Sequence, residues 1–280
     1  MKAKHLILGL YGLFVVGLPI AGLVNAFNYS VGLAGPLASG FTVTYWQQLT
    51  SETSLLVSLG FSLYVSILSG SVAVLIALFL VLGRQPMLRQ RPFPTLLYVP
   101  LLFPSLVIGF YLFQLLSGSG WLARLAFAVG FIETPDQFPE LIQDGFGIGI
   151  ILAQVVVAFP FFTLLFRSLY ADARLDELHN LTRTLGAGQT QFNTRVAIPI
   201  LLRRSAPTLV LYGVATTGAY DIPLVLGRNY PQMLSVFITT RLQRFDLAEL
   251  PMGYLAGFVL TLLLMAVIYW TSQRLQRHAL

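Results

Sequence analysis

Six stretches of about twenty apolar residues divide the sequence, at 6–27, 55–82, 95–116, 146–166, 208–226 and 252–270. A helix rises about 1.5 Å per residue, so each stretch is long enough to cross the ~30 Å hydrocarbon core of a bilayer. In that core the chain must satisfy its own backbone N–H and C=O groups, which a helix does within one segment. The expected fold class is all-α, a polytopic membrane protein of about six transmembrane helices forming one domain over 1–280. Composition leads to the same class. The 280 residues are 56% hydrophobic and only 10% charged, whereas a soluble domain carries roughly 25% charged residues. A greasy soluble enzyme would have too few charges to cover its surface.

Several chemistries are absent from the residue inventory. There is no cysteine, which removes disulfides, thiolate metal sites and cysteine nucleophiles. Lys2 and Lys4 are the only lysines, so no phosphate-binding loop of the G-x-x-x-x-G-K-[ST] type exists here. If ATP drives this protein, another chain hydrolyses it. His5, His179 and His278 are far apart and none belongs to an H-E-x-x-H pair. The sequence therefore presents no catalytic residues and no metal site.

The net charge of +6 reports topology rather than a nucleic-acid surface. With both termini in the cytoplasm, Arg124, Arg228, Arg241 and Arg244 fall outside and the other thirteen of the seventeen basic residues fall inside. That is the positive-inside asymmetry. Lys2, Lys4 and the apolar run ending near Ala26 also fit a secretory signal peptide, but 22 uncharged residues exceed the usual 7–15 of a signal core, which favours a retained helix. Pro100, Pro104 and Pro160 fall inside spans, so kinked helices stabilised by neighbours are expected. Gly145, Gly147, Gly149 and Ala153 give the fourth span a small-residue face for close packing.

One polar stretch interrupts the apolar pattern, "NLTRTLGAGQTQFNTRVAIP" at 180–199. It lies in the longest cytoplasmic loop, 168–206. Leu175, Leu178, Leu181 and Leu185 recur at helical spacing between Asp176, Glu177, Asn180 and Arg183. Gly186 and Gly188 then break the pattern as a helix C-terminus and turn do. Phe192 and Val196 form a second, shorter stripe before Pro199. Ser205 is read as the N-cap of the fifth span, with Pro207 in its first turn. Two readings fit: a helix lying on the lipid headgroups, and a rigid helix–turn–helix docking into a groove on a cytoplasmic partner. The glycine-broken turn favours docking, because a surface-lying helix gains nothing from it.

The same stretch resembles the cytoplasmic signature of binding-protein-dependent ABC importer permeases, written E-A-A-x-x-x-G-x(9)-I-x-L-P. Its E-A-A positions are Asn180, Leu181 and Thr182, its glycine is Gly186, and its end falls at Val196, Ala197, Ile198 and Pro199. "RTLGA" (183–187) reads as the family writes it, whereas Asn180 and Thr182 depart from it. Glu177, one helical turn earlier, is a candidate substitute for the missing acid. "FTVTYWQQL" (41–49) and "GAYDIPLVLG" (218–227) are similar to the same family, whose polyamine, thiamine, phosphonate, sulfate and ferric-ion members the latter resembles.

The resemblance implies a permease subunit in a bacterial inner membrane that moves a small solute delivered by a periplasmic binding protein. It implies a second permease subunit, the same chain or a different one, and cytoplasmic ATPase subunits that use ATP and Mg²⁺, with no cofactor bound by this chain. The coupling residues would be Glu177, Asn180, Leu181, Thr182, Arg183, Leu185, Gly186, Ala187, Phe192 and Pro199. The alternative class is a stand-alone secondary transporter or channel, which calls for internal repeats and intramembrane ion-coupling residues.

The fifth span holds Thr216, Thr217, Tyr220 and Asp221. A charge at the bilayer centre costs about 2.5–3.5 kcal/mol on insertion scales and faces protein or water. Thr217, Tyr220 and Asp221 are therefore candidate pathway residues. The competing reading puts Asp221 at the outer interface. Pro223 and Gly227 suggest a break in the helix there. The outer loop 117–144, with Trp121, Phe131 and Phe138, is either a connector or a surface for the binding protein.

Overall fold

The computed structural model describes residues 5, 9–38, 40–84, 92–134 and 137–277. Lys2, Lys4, Arg89, Arg91 and His278, together with the start of the first expected span, lie outside the described residues. Every regular element among those residues is helical. In chain order they are α1 (Gly9–Ser30, with a π-helical turn at Leu13–Gly17), α2 (Thr44–Ser51), α3 (Thr53–Gly83) and α4 (Pro92–Leu102). Next come α5 (Ser105–Leu116), α6 (Trp121–Ala128), α7 (Ile148–Asp172) and α8 (Leu175–Thr184). Then α9 runs through Gln189–Phe192 and a π-helical turn, Asn193–Ala197, into Ile198–Thr217. It is followed by α10 (Asp221–Leu226), α11 (Leu234–Gln243) and α12 (Leu250–Arg277). Five helices among the described residues are long and apolar enough to cross a membrane: Gly9–Ser30, Thr53–Gly83, Ser105–Ala128, Ile148–Asp172 and Leu247–Arg274.

The expected third and fifth spans are each two helices. The third breaks at Phe103 and Pro104, because the residue before a proline is pushed out of the helical region and Pro104 itself is extended, with ψ 144°. The fifth breaks at 218–220. Thr216 and Thr217 turn their hydroxyls back onto the Gly213 carbonyl at 3.1 and 2.8 Å. Gly218 ends the helix, and Pro223 has no N–H with which to continue the ladder. The start of the fifth span also differs from expectation. Ser205 is no cap: it is buried inside α9 with its Oγ donating to the Leu202 carbonyl, and Pro207 sits within the helix rather than in its first turn. The fourth span begins at Ile148, so Gly145 and Gly147 precede the helix. Gly147 has φ +69°, and a Cβ there would lie 2.9 Å from Phe61 and 3.3 Å from Val65.

The chain divides into two compact units. The smaller, 1–59 with 234–267, has an apolar core of Leu55, Leu234, Phe237, Ala256 and Leu260. The rings of Phe27 and Trp46 pack on Phe258, and that of Tyr29 on Tyr254. Beside this core Arg241 stacks 4.7 Å over Phe237 and bridges Glu52 and Glu249 at 2.5 and 2.7 Å. All three side chains are mostly buried, so the partners are weakly screened and mutually dependent.

The larger unit, 60–233 with 268–280, has two apolar clusters. One gathers Phe61, Val65, Ile108, Leu112, Ile150, Ile222 and Leu226. The other gathers Ala73, Ala77, Phe162, Phe166, Tyr170, Leu175, Phe192, Ala197 and Leu201. A buried polar seam also runs through this unit. Ser66 bonds Thr216 at 2.6 Å and the Gly213 carbonyl at 2.9 Å, while Ser69 donates to Gln154 Oε1 at 2.7 Å.

The ion-pair network makes the smaller unit acid-sensitive. The Ser54 hydroxyl and the Arg241 guanidinium, acting against burial, hold the Glu52 carboxyl below its ordinary value. Its stabilisation is therefore full above the ordinary carboxylate range and lost as pH falls through and below about 4. Arg241→Ala is expected to cost about 3 kcal/mol at pH 7 by stranding two acids, and to flatten the acid limb of a melting-temperature profile in detergent. An unchanged profile would contradict the role given to Arg241.

Candidate functional site

The polar interruption folds into an elbow made of α8 and the start of α9. The chain leaves α7 through Ala173 and turns at Arg174, which takes the left-handed conformation at φ +49°. Asp176 and Glu177 occupy the first turn of α8 and Arg183 the last, so each charge complements the helix dipole. Glu177 pairs with Arg174 at 3.9 Å, and with both side chains largely in solvent this adds little.

The four leucines share one face, with Leu178 and Leu185 two turns apart along it, but not one environment. Leu175 is fully buried and Leu178 half-buried against Phe166, Tyr170 and Phe192. Leu181 and Leu185, one turn apart, are 56% and 78% exposed. Beside them Glu177, Asn180 and Arg183 are exposed and Thr182 is half-buried. The N-terminal end of this face thus anchors α8, while its C-terminal end presents two leucines and a fringe of polar groups.

Gly186 closes α8. It has φ +82°, and its N–H donates to the Arg183 carbonyl while that of Ala187 donates to the Thr182 carbonyl, both at 3.0 Å. This pair of bonds is the Schellman cap, which needs a left-handed residue where glycine carries no Cβ penalty. Open space surrounds Gly186, so a side chain there would meet backbone strain rather than a clash. Gly188 is extended, and Gln191 Oε1 accepts its N–H at 3.2 Å, starting the next helix.

That next helix is not short. Phe192 is buried at 1% exposure with its ring 4.7 Å from His179, and the chain then continues helically to Thr217. Pro199, which has no N–H, lies just beyond the π-helical turn, at the start of Ile198–Thr217. The expectation of two short helices holds for α8 alone, since the second is the end of a long rod. A helix from 189 to 217 spans about 43 Å.

At the far end of the rod Thr217 is buried, Tyr220 half-buried and Asp221 exposed. Ser105 at the start of α5 donates to Asp221 Oδ2. The two helix breaks therefore meet through a hydroxyl–carboxylate bond, and α5 and α10 pack on each other through Gly109, Ile222 and Val225. Ser105, Ser66, Ser69 and Gln154 were missed from sequence. A serine in an apolar helix is unremarkable until its partner more than eighty residues away is known. Among the described residues no metal-ligand cluster comes together.

Comparison with known proteins bears on both ends of the rod. Residues 73–279 match the family model described as "Binding-protein-dependent transport system inner membrane component". The chain is 25% identical, over 96% of its length and 88% of the relative's, to the sulfate transport system permease protein CysT of Synechocystis sp.. It is also similar in fold to a chain of a bacterial ABC transporter involved in import of the acidic polysaccharide alginate. The TM-score there is 0.74 at 15% identity, covering 99% of this chain and 94% of the other. A second structure of an alginate ABC transporter, in complex with an alginate pentasaccharide-bound periplasmic protein, gives 0.73 at 15% identity with 99% and 93% covered.

The packed and exposed parts of the elbow make separable predictions. Phe192→Ala removes a fully buried ring, which is expected to cost about 3–5 kcal/mol and to lower the unfolding temperature in detergent. Leu185→Ala is expected to change stability by less than about 0.5 kcal/mol. Equal losses from both would show that Leu185 packs within the chain.

Proposed function

We propose a mechanism from one premise: the chain belongs to the family of binding-protein-dependent transport system inner membrane components. It is a multi-pass permease subunit of an ABC importer, not an enzyme. It works with a periplasmic binding protein, an ATPase and a second permease subunit.

In the proposed arrangement both termini are cytoplasmic. Six crossings span the membrane, with α4 and α5 together supplying the third and α9 and α10 the fifth. The elbow, within the loop 168–206, is the coupling element. Leu181 and Leu185 enter an apolar cleft of the ATPase, and Glu177, Asn180, Thr182 and Arg183 fringe that contact. Gly186 and Ala187 hold the angle between the helices, while Phe192 and Pro199 carry the load into α9. One observation supports this reading above the others: the exposed leucines sit at one end of a helix whose other end is locked to a rod running unbroken to Thr217. ATP binding with Mg²⁺ and hydrolysis by the partner would move the elbow, and the rod would carry that displacement to Thr217, Tyr220 and Asp221. Those three residues are the proposed lining of the solute path. Two states of the permease, biased by the nucleotide state of a neighbour, suffice for alternating access.

A headgroup-lying α8 predicts different chemistry, because leucines in lipid would be shielded from water-soluble reagents. The absence of native cysteine makes the test clean. A single cysteine in Leu181→Cys is expected to react with a membrane-impermeant maleimide in inverted vesicles stripped of the ATPase, to be protected when the ATPase is added back, and not to react in intact spheroplasts. Leu181→Asp with Leu185→Asp is expected to reduce ATPase co-purification about tenfold or more. Labelling from outside would overturn the orientation. Undiminished ATPase binding by the double variant would overturn the docking role.

A further inference from the structure

A polar seam runs through the apolar interior where α3, α7 and the α9 rod meet, and one of its groups is left unpaired. Ser62, Ser66 and Ser69 follow one another along α3 at helical spacing, which puts them on one face, and all three are buried. Thr216 and Thr217 come from the last turn of the rod, and Gln154, 2% exposed, comes from α7. Ser69 donates to Gln154 Oε1 at 2.7 Å. Gln154 Nε2 is buried and has no hydrogen-bond partner among the described residues. An amide nitrogen carries two donors, and a buried donor without an acceptor destabilises the state that leaves it so. The neighbouring buried positions of α7 at Ala153, Val155 and Ala158 are apolar, so packing alone does not call for an amide there.

Across the seam the imbalance is reversed. Ser66 Oγ reaches the Gly213 carbonyl at 2.9 Å and Thr216 Oγ1 at 2.6 Å. Thr216 Oγ1 also reaches the Tyr212 and Gly213 carbonyls, at 2.9 and 3.1 Å, and Thr217 Oγ1 donates to Gly213 at 2.8 Å. Three hydroxyls thus converge on one carbonyl, which has two lone pairs. Each hydroxyl has a single proton, so Ser66 and Thr216 both face more acceptors than they can use. The last turn of a helix also leaves carbonyls without intrahelical donors. The rod therefore carries acceptors to spare, while α7 carries a donor that lacks one. The two helices are in direct contact, with the rings of Phe162 and Tyr212 4.9 Å apart. A shift of the rod along α7 can give Gln154 an acceptor while Ser66 and Thr216 each keep one.

We infer that Gln154 biases the two states of the permease: its amide is underpaired in this structure and takes an acceptor from the last turn of the rod in the other state. The inference rests on the two-state, rod-driven mechanism proposed above and adds the contact that tells the states apart. Gln154 is a positioning residue, acting on the solute path only through the rod.

In the assembled importer in nanodiscs, a fluorophore is placed on Ala219→Cys, the only cysteine in this chain. ATP is titrated in the presence of vanadate, and the half-maximal ATP concentration for the change at position 219 is read. Melting temperatures are measured with and without trapped nucleotide. Gln154→Met keeps the side-chain volume and removes the amide. It is expected to raise the half-maximal ATP concentration about tenfold, because a hydrogen bond is lost from the ATP-bound state and a penalty is lifted from the other. The nucleotide-free melting temperature should rise by about 2–4 °C, and the trapped one should not. An amide with a merely structural role would shift both melting temperatures alike and leave the ATP requirement unchanged. Gln154→Leu is run beside it as a second apolar replacement. An unchanged ATP requirement in both variants overturns the inference while the rod mechanism stands, and so does a lowered nucleotide-free melting temperature or failed assembly in both. No ATP-dependent change at 219 with Gln154 in place overturns the rod mechanism and the inference with it.

Discussion

The contact on which this structure depends is the apolar seam joining the elbow to the helices it leaves and enters. Leu175 from α8, Phe192, Ala197 and Leu201 from the α9 rod, and Phe166 and Tyr170 from α7 form one buried cluster. Close-packed interiors transmit displacement because they have few voids to absorb it. A helix attached only by its two loops would swing freely when pulled, whereas α8 is clamped at its N-terminal end. Its C-terminal end carries the exposed Leu181 and, at its cap, Leu185. One short segment thus joins intramolecular packing to an exposed apolar tip.

The bilayer explains why the rod can end where it does. Irregular backbone at membrane depth survives only where protein or a water-filled cavity satisfies it. At the break after Thr217 the Gly218 and Ala219 N–H groups donate to the Val214 and Thr216 carbonyls, and the break at Pro104 lies next to the Ser105–Asp221 bond. Two discontinuities in different spans support each other, and the Asp221 carboxylate joins them through Ser105.

Much of this was legible in the residues. Apolar length set the helical class, and the glycine at 186 marked the turn because only its conformation closes a Schellman cap. The family signature has its glycine there as well. Other features depended on tertiary context. Periodicity put Leu175, Leu178, Leu181 and Leu185 on one stripe, but a helix docked at its N-terminal end buries only the first of them fully. The polar composition of 189–206 suggested a short second helix, yet Phe192 and Ala197 packed into the core keep that segment continuous with the fifth span. Ser205 looked like a cap by residue type and is an interior residue with a local back-bond. The Arg241–Glu52 pair spans 189 positions, a separation at which charge patterning carries no signal.

The central claim is mechanical: force enters at Leu181 and Leu185 and travels along one helix to the break at 218–220. Its most direct measurement is nucleotide-dependent cross-linking in the assembled importer, from a cysteine in Leu185→Cys to cysteines introduced around the ATPase cleft, read with a distance reporter in Ala219→Cys. The account predicts an efficient cross-link in every nucleotide state and a change at position 219 when ATP is bound, abolished when Gly186→Val distorts the elbow. A change at 219 that persists with no cross-link at 185 would contradict it.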